Sequence, residues 1–173
     1  MQPSLIAPLD AGDRALFARW VLAHDYSRTR HRFWRAVTAL GGARVCVAVG
    51  LVGLALSGGR FGAVGQHAAW TLLVSHLIVQ AIKRSVGRPR PALPATMASL
   101  IETPDRFSFP SGHSCAVMAV AFPWALALPN AAAPLMIVAT IVGLSRVRLG
   151  VHYPGDVLAG QVIAVVTALA LVA

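Results

Sequence analysis

The chain has 173 residues, 57% hydrophobic and only 12% charged, with a mean hydropathy of +0.68. A soluble domain carries roughly 25% charged residues, so a one-domain chain this apolar speaks against a water-soluble fold and for a membrane. The net charge of +9 leaves nucleic acid, a membrane surface or an anionic ligand as partners, and the distribution of that charge has to choose among them.

In chain order, residues 10–36 read as an interfacial amphipathic helix. Leu16, Phe17, Trp20 and Val21 supply an apolar side, and Arg14, Arg19, Arg28, Arg30, Arg32 and Arg35 a basic one, which suits a headgroup layer. Asp10, Asp13, Arg14 and Arg19 interrupt any apolar run there, so this is not the pattern of a signal peptide. A crossing of a ~30 Å hydrocarbon core takes about 20 mostly apolar residues. Val37–Ser57 is the first such stretch, interrupted by Arg44, and Phe61–Ile82, free of formal charge, is the second. Phe107–Ser145 is also free of charge but too long for one crossing. Pro129-Asn130 and Pro134 divide it into spans near His113–Leu128 and Ala132–Ser145. A short fifth span follows Asp156. The expectation is therefore an all-α, integral-membrane bundle of about five transmembrane helices, one domain over 1–173, with the bundle at 37–173. The Pro-rich connection 83–112 has room for a short helix near Ala95–Glu102. Cys46 and Cys115, both within apolar runs, read as buried free thiols.

Alternation of the helices sorts the connections onto two faces. Of the fifteen Lys and Arg residues, only Arg60 falls on the face that carries the 57–62 and 129–134 turns. All the others share the face of the N-terminal segment and of the 83–112 and 145–156 loops. Nucleic acid explains that one-sidedness poorly. A positive-inside bias and an anion site explain it well.

Three patches meet on the basic face: KRSVGRPRP at 83–91, FPSGHS at 109–114 and SRVRLGVHYPGD at 145–156. Lys83, Arg88, Arg90, Arg146 and Arg148 bring cations, and an arginine fork matches phosphate oxygens. Arg84 and Arg148 also suit the plainer reading of topology charges. Ser111 can cap the helix that follows it, and the N–H groups around Gly112 can face an anion. His152 and Asp156 fit as a pair. A carboxylate four residues on can orient the ring and leave the other nitrogen to attack phosphorus. His113, on a different helix, can give a proton to the leaving oxygen and take one back from water. His76 and Gln80 precede Lys83 by seven and three residues and share its helical stripe. They either line the site from below or bond within the bundle.

Lys83-x6-Arg90-Pro91, Pro110-Ser111-Gly112-His113 and Ser145-Arg146-x5-His152-x3-Asp156 together resemble the three-part signature of the type 2 phosphatidic acid phosphatase superfamily. These are membrane lipid phosphate phosphatases that share a core fold with vanadium-dependent haloperoxidases. The likeness covers residues 83–156. It implies His152 as the nucleophile of a phosphohistidine, Asp156 as its orienting carboxylate and His113 as general acid and base. It implies Lys83, Arg90, Ser111, Gly112 and Arg146 as phosphate ligands, preferring Arg90 to Arg88, with no metal and no cofactor. The implied substrate is a lipid phosphate or diphosphate of the phosphatidic acid, phosphatidylglycerol phosphate or polyprenyl phosphate class. A lipid phosphotransferase and a non-catalytic anion transporter are the alternatives.

Many members of that family have six spans. Here the Arg-rich N-terminal segment stands in place of the first, which puts the N-terminus on the same face as the site. The expected location is a bacterial cytoplasmic membrane, with the site on the cytoplasmic face. The lipid bilayer and the substrate are the expected partners, and the sequence does not specify an oligomeric state.

Overall fold

Small residues draw the helices of this chain together and large apolar ones face outward. The computed structural model describes residues 7–21, 28–55, 58–92 and 105–172. Seven helices run through them: α1 (Ala7–Trp20), α2 (Arg28–Ala39), α3 (Ala43–Ala55), α4 (Gly59–Val86), α5 (Gly112–Ala127), α6 (Pro129–Arg148) and α7 (Pro154–Ala170). Among the described residues there is no strand, only an isolated bridge between Pro89 and Phe107. The short helix expected near Ala95–Glu102 lies outside the described residues.

Helix α5 is the centre of the bundle, packed by α4, α6 and α7. Its Cys115, Val117, Met118, Ala119 and Ala121 form one buried cluster with Val79 of α4, Ala139 and Val142 of α6 and Ala164 of α7. Glycines set the close approaches. A Cβ on Gly53 would lie 2.8 Å from the Cα of Gly65, so α3 meets α4 backbone to backbone. A Cβ on Gly160 would collide with the carbonyl oxygen of Ser111, which fixes α7 against the start of α5. Val52, Leu77, Ile137, Leu158 and Val166 stand exposed on the outside. Small residues inside and bulky aliphatic ones outside is the distribution that lipid solvent selects. Arg28–Ala55 and Pro129–Arg148 are each long and apolar enough to cross a membrane, while α5 and α7 are shorter apolar helices.

Several boundaries differ from those read in the sequence. Within the segment 10–36 the described helices are α1 and α2, and residues 22–27 lie outside the described residues. Phe17 of α1 is buried against Tyr153, their ring centroids 5.3 Å apart, so that side of α1 faces the bundle rather than lipid. The first apolar stretch, expected to run unbroken from Val37, is divided by a turn, because α2 ends at Ala39 and α3 begins at Ala43. The turn between them is fitted tightly: a Cβ on Gly41 would lie 2.6 Å from Cγ1 of Val142. The break between α5 and α6 falls at Leu128, with Pro129 in the first turn of α6, where a missing N–H costs nothing. Pro134 does not interrupt α6. Cys46 and Cys115 are free and buried, as expected.

Candidate active site

Backbone punctuation aims each patch. Gly87, at φ +61°, caps α4 and donates its N–H to the carbonyl of Lys83. That left-handed turn releases Arg88, Pro89 and Arg90 from the helix in a non-helical run, which Ser108 then binds through its N–H on the Arg88 carbonyl at 2.8 Å. Gly150, at φ +78°, makes the corresponding turn after α6. Two residues later comes His152, and Pro154 then opens α7. Asp156, in the first turn of α7, reaches back to accept the Tyr153 N–H at 2.8 Å.

These turns bring six of the eight residues named from the sequence to one cavity of about 470 Å³. Lys83, Arg90, Gly112, His113, Arg146 and His152 line its polar end. Asp156 stands behind His152, with Oδ2 3.5 Å from the ring Nδ1. That is ion-pair distance and longer than a good hydrogen bond, and Nδ1 is buried with no other partner among the described residues. Ser111 does not line the cavity. Its Oγ accepts from Ser114 at the start of α5, and its N–H donates to the Asp156 carbonyl at 2.9 Å. Within the PSGH segment, therefore, Gly112 and His113 face the cavity, and a Cβ at Gly112 would meet nothing within 4 Å.

The two arginines after α4 separate. Arg90 places Nη1 3.2 Å from Nε2 of His152 and donates to the Val151 carbonyl at 2.8 Å. Arg88 instead donates from Nη1 to Oδ1 of Asp156 at 2.6 Å and to Asp13 of α1 at 2.8 Å, with its guanidinium 4.1 Å from the Tyr153 ring centroid. Arg146 donates to Thr38 Oγ1 at 2.7 Å, and its buried Nε has no hydrogen-bond partner among the described residues.

Sequence reasoning missed two carboxylates. Asp105 accepts from Lys83 Nζ at 3.0 and 3.2 Å and from Arg90 Nη2 at 2.9 Å, so it neutralises two cations of the cradle. Asp13 accepts from Arg88 and from the Gly155 N–H. The available signal was arithmetic. The chain has six acids against fifteen bases, and buried cations need counter-charges. His76 and Gln80 line the cavity alongside Lys83, and their Nε2 atoms lie 3.4 Å apart.

Burial pushes the His152 imidazole down to about 4; Asp156 pulls the other way, and Arg146 and Arg90 add to the fall. Burial would raise the Asp105 carboxyl, but Lys83 and Arg90 outweigh it and hold it below its usual range. The result is a neutral imidazole among cations, at the end of a cavity whose other end is apolar. Val47, Gly50, Leu51 and Leu54 of α3 and Trp70, Leu72 and Leu73 of α4 line that lower end. Such an arrangement can hold an anionic head and an apolar tail at once, and can present a nucleophilic nitrogen to the head.

Residues 65–173 match the model of the PAP2 superfamily. The decaprenylphosphoryl-5-phosphoribose phosphatase of Mycobacterium tuberculosis is 44% identical over 91 residues, which are 50% of this chain and 48% of that protein. The lipid A 1-phosphatase of Rhizobium johnstonii is 35% identical over 107 residues, 56% of this chain and 42% of the relative. The chain spans about half the length of these curated relatives. The crystal structure of a transmembrane PAP2-type phosphatidylglycerolphosphate phosphatase from Bacillus subtilis superposes with a TM-score of 0.73 over 95% of this chain and 84% of its own, at 24% identity, a likeness of fold. The family match covers more than half of the chain, including all three patches of the site, and the chain belongs to the PAP2 superfamily.

Proposed function

We propose that this protein is a membrane phosphatase that hydrolyses a lipid phosphate or diphosphate through a phosphohistidine, without a metal. The observation that carries the reading is a cavity that is cationic and histidine-bearing at one end and apolar between α3 and α4 at the other. Its related proteins are named phosphatases of lipid-linked phosphates, which agrees with an amphiphilic substrate.

In the proposed reaction Lys83, Arg90 and Arg146 hold the phosphoryl oxygens, and the open edge at Gly112 lets them come close to the backbone. Ser111 keeps the start of α5 in place. Nε2 of His152 attacks phosphorus while Asp156 steadies the ring from the Nδ1 side. The N–P bond forms and the bond from phosphorus to the lipid oxygen breaks. His113, protonated once the phosphate's negative charge sits among the cations, gives that oxygen its proton. A water then attacks phosphorus, returns a proton to His113 and breaks the N–P bond, releasing phosphate. The cations lower the barrier by matching the charge that gathers on the equatorial oxygens. Metal independence is supported by the same surroundings, since Lys83, Arg90 and Arg146 would repel a cation placed between His113 and His152.

We place five crossings, the first made by the end of α2 together with α3 and the others by α4–α7, with α1 and the Arg-rich start of α2 at the interface on the site's side of the bilayer. Contact of Asp13 with Arg88 and Gly155 supports a shared face for the N-terminal helix and the site. The basic bias of that face supports a cytoplasmic orientation in a bacterial membrane, with substrates drawn from that leaflet. The mechanism is tested by trapping: brief exposure to a phosphorus-labelled lipid phosphate should leave an acid-labile, alkali-stable label on the chain that His152→Ala lacks. Label that persists in that variant would refute it.

A further inference from the structure

We propose that α1 is a clamp on the catalytic loop, acting through Asp13 as a positioning residue; this rests on the assignment of His152 and Asp156 to the phosphatase reaction. The loop His152–Asp156 carries both groups, yet the ring and the carboxylate are not joined by a good hydrogen bond. Within the loop only the Tyr153 N–H, on Oδ2 of Asp156 at 2.8 Å, ties the carboxylate down, so a grip from outside the loop adds to the hold. Asp13 does so from two sides. Its Oδ1 accepts the Gly155 N–H at 2.7 Å, and its Oδ2 accepts Arg88 Nη1 at 2.8 Å. That same Arg88 nitrogen donates to Oδ1 of Asp156 at 2.6 Å. Phe17, one turn further along α1, packs edge-on against Tyr153. One helix therefore grips the residue after His152, the residue before Asp156 and the cation that binds Asp156.

Charge gives the clamp a second effect. Arg88 beside Asp156 alone would form a neutral pair and spend the carboxylate's charge. With Asp13 added, the trio keeps one negative charge in excess next to His152, whose ring becomes cationic when phosphorylated. The side chain of Asp13 is only 10% exposed, so little solvent screens this contact. Asp13 is absent from the cavity lining and has no route to the phosphate.

Two different substitutions break the clamp. Asp13→Asn removes the charge. Gly155→Ala leaves it but places a Cβ 2.8 Å from Asp13 Oδ2, which must swing away. Gly155 is not among the positive-φ glycines, so alanine fits its backbone. The full-length protein in nanodiscs is assayed for phosphate release from a lipid phosphate, with hydrogen exchange followed in parallel. Each variant should lose about ten-fold in kcat with KM within about two-fold, as misplaced but unblocked chemistry requires. The double variant should be no slower than the worse single, because both changes break one contact. Wild-type kcat in both single variants, additive losses, or KM rising in step with the fall in kcat would overturn the clamp. Faster exchange of the Tyr153, Gly155 and Asp156 amides in Asp13→Asn is expected even where no lipid is turned over, and unchanged exchange would refute the clamp in that case. An inactive wild type would instead count against the phosphatase reading.

Discussion

Arg88 and Arg90 stand two positions apart and serve opposite sides of one histidine. Arg90 lies 3.2 Å from Nε2 of His152, on the cavity side, whereas Arg88 reaches Asp156 behind the ring. In the proposed reaction the first arginine meets the substrate and the second holds the orienting carboxylate. Arg90→Ala should therefore raise KM and lower kcat/KM by roughly 10²–10³-fold. Arg88→Ala should lower kcat with a smaller change in KM, and should lower the melting temperature, because it leaves Asp156 buried beside no cation. Steady-state kinetics on one lipid phosphate, with a melting curve for each variant, separates the two.

Asp105 occupies Lys83 and Arg90 with a carboxylate, the groups a phosphate would bind. A phosphoryl group has to compete with it. Asp105→Asn should make inorganic phosphate a tighter competitive inhibitor by about ten-fold, and slow product release should lower kcat. An inhibition series in phosphate measures both. Weaker phosphate inhibition would show that Asp105 organises the cradle instead of competing for it.

Stability should fall as the pH is lowered. The His152 ring has an ordinary value of 6.5 and a folded value of about 4. Between those values the unfolded chain binds the extra proton, so stability rises with pH across that window and is lost as pH falls through it. The lowered value of Asp105 acts in the same direction at more acid pH. His152→Gln removes the histidine's share. Its melting temperature should drop less than that of the wild type between pH 7 and pH 5, as thermal unfolding in detergent would show.

The apolar end of the cavity predicts a dependence on chain length. Val47 lines it and is half exposed on α3. Val47→Trp should raise KM several-fold for a long-chain lipid phosphate and leave hydrolysis of a short-chain one unchanged, since only the longer tail reaches past α3. A loss of turnover on both substrates would place the tail elsewhere.

How far the sequence could be read depended on the range of the interaction. His152, Tyr153 and Asp156 are set by one local turn, so their spacing alone disclosed the pair. Lys83, His113 and Arg146 were gathered by counting crossings, because alternate helix ends must share a face. Asp13 and Asp105 escaped because no local period marks them. Asp13 reaches Arg88 across 75 positions, and Asp105 sits in an irregular loop. The break between α2 and α3 was hidden for a similar reason. Gly41 and Gly42 sit in an apolar run, and the turn there becomes visible only when Val142 and the His113 carbonyl are seen against it. The cap at Ser111 is legible because it depends on the local turn alone: its fully buried hydroxyl caps α5, as a serine ahead of a helix suggests.

The whole reaction turns on whether His152 forms the bond to phosphorus. Phosphate release from a panel of lipid phosphates and diphosphates, in a metal chelator, decides the point. The wild-type protein should release phosphate from at least one lipid, and His152→Ala, folded to the same melting temperature, should fall by roughly 10³-fold or more. Wild-type turnover by that variant would leave the phosphohistidine without its nitrogen and refute the mechanism.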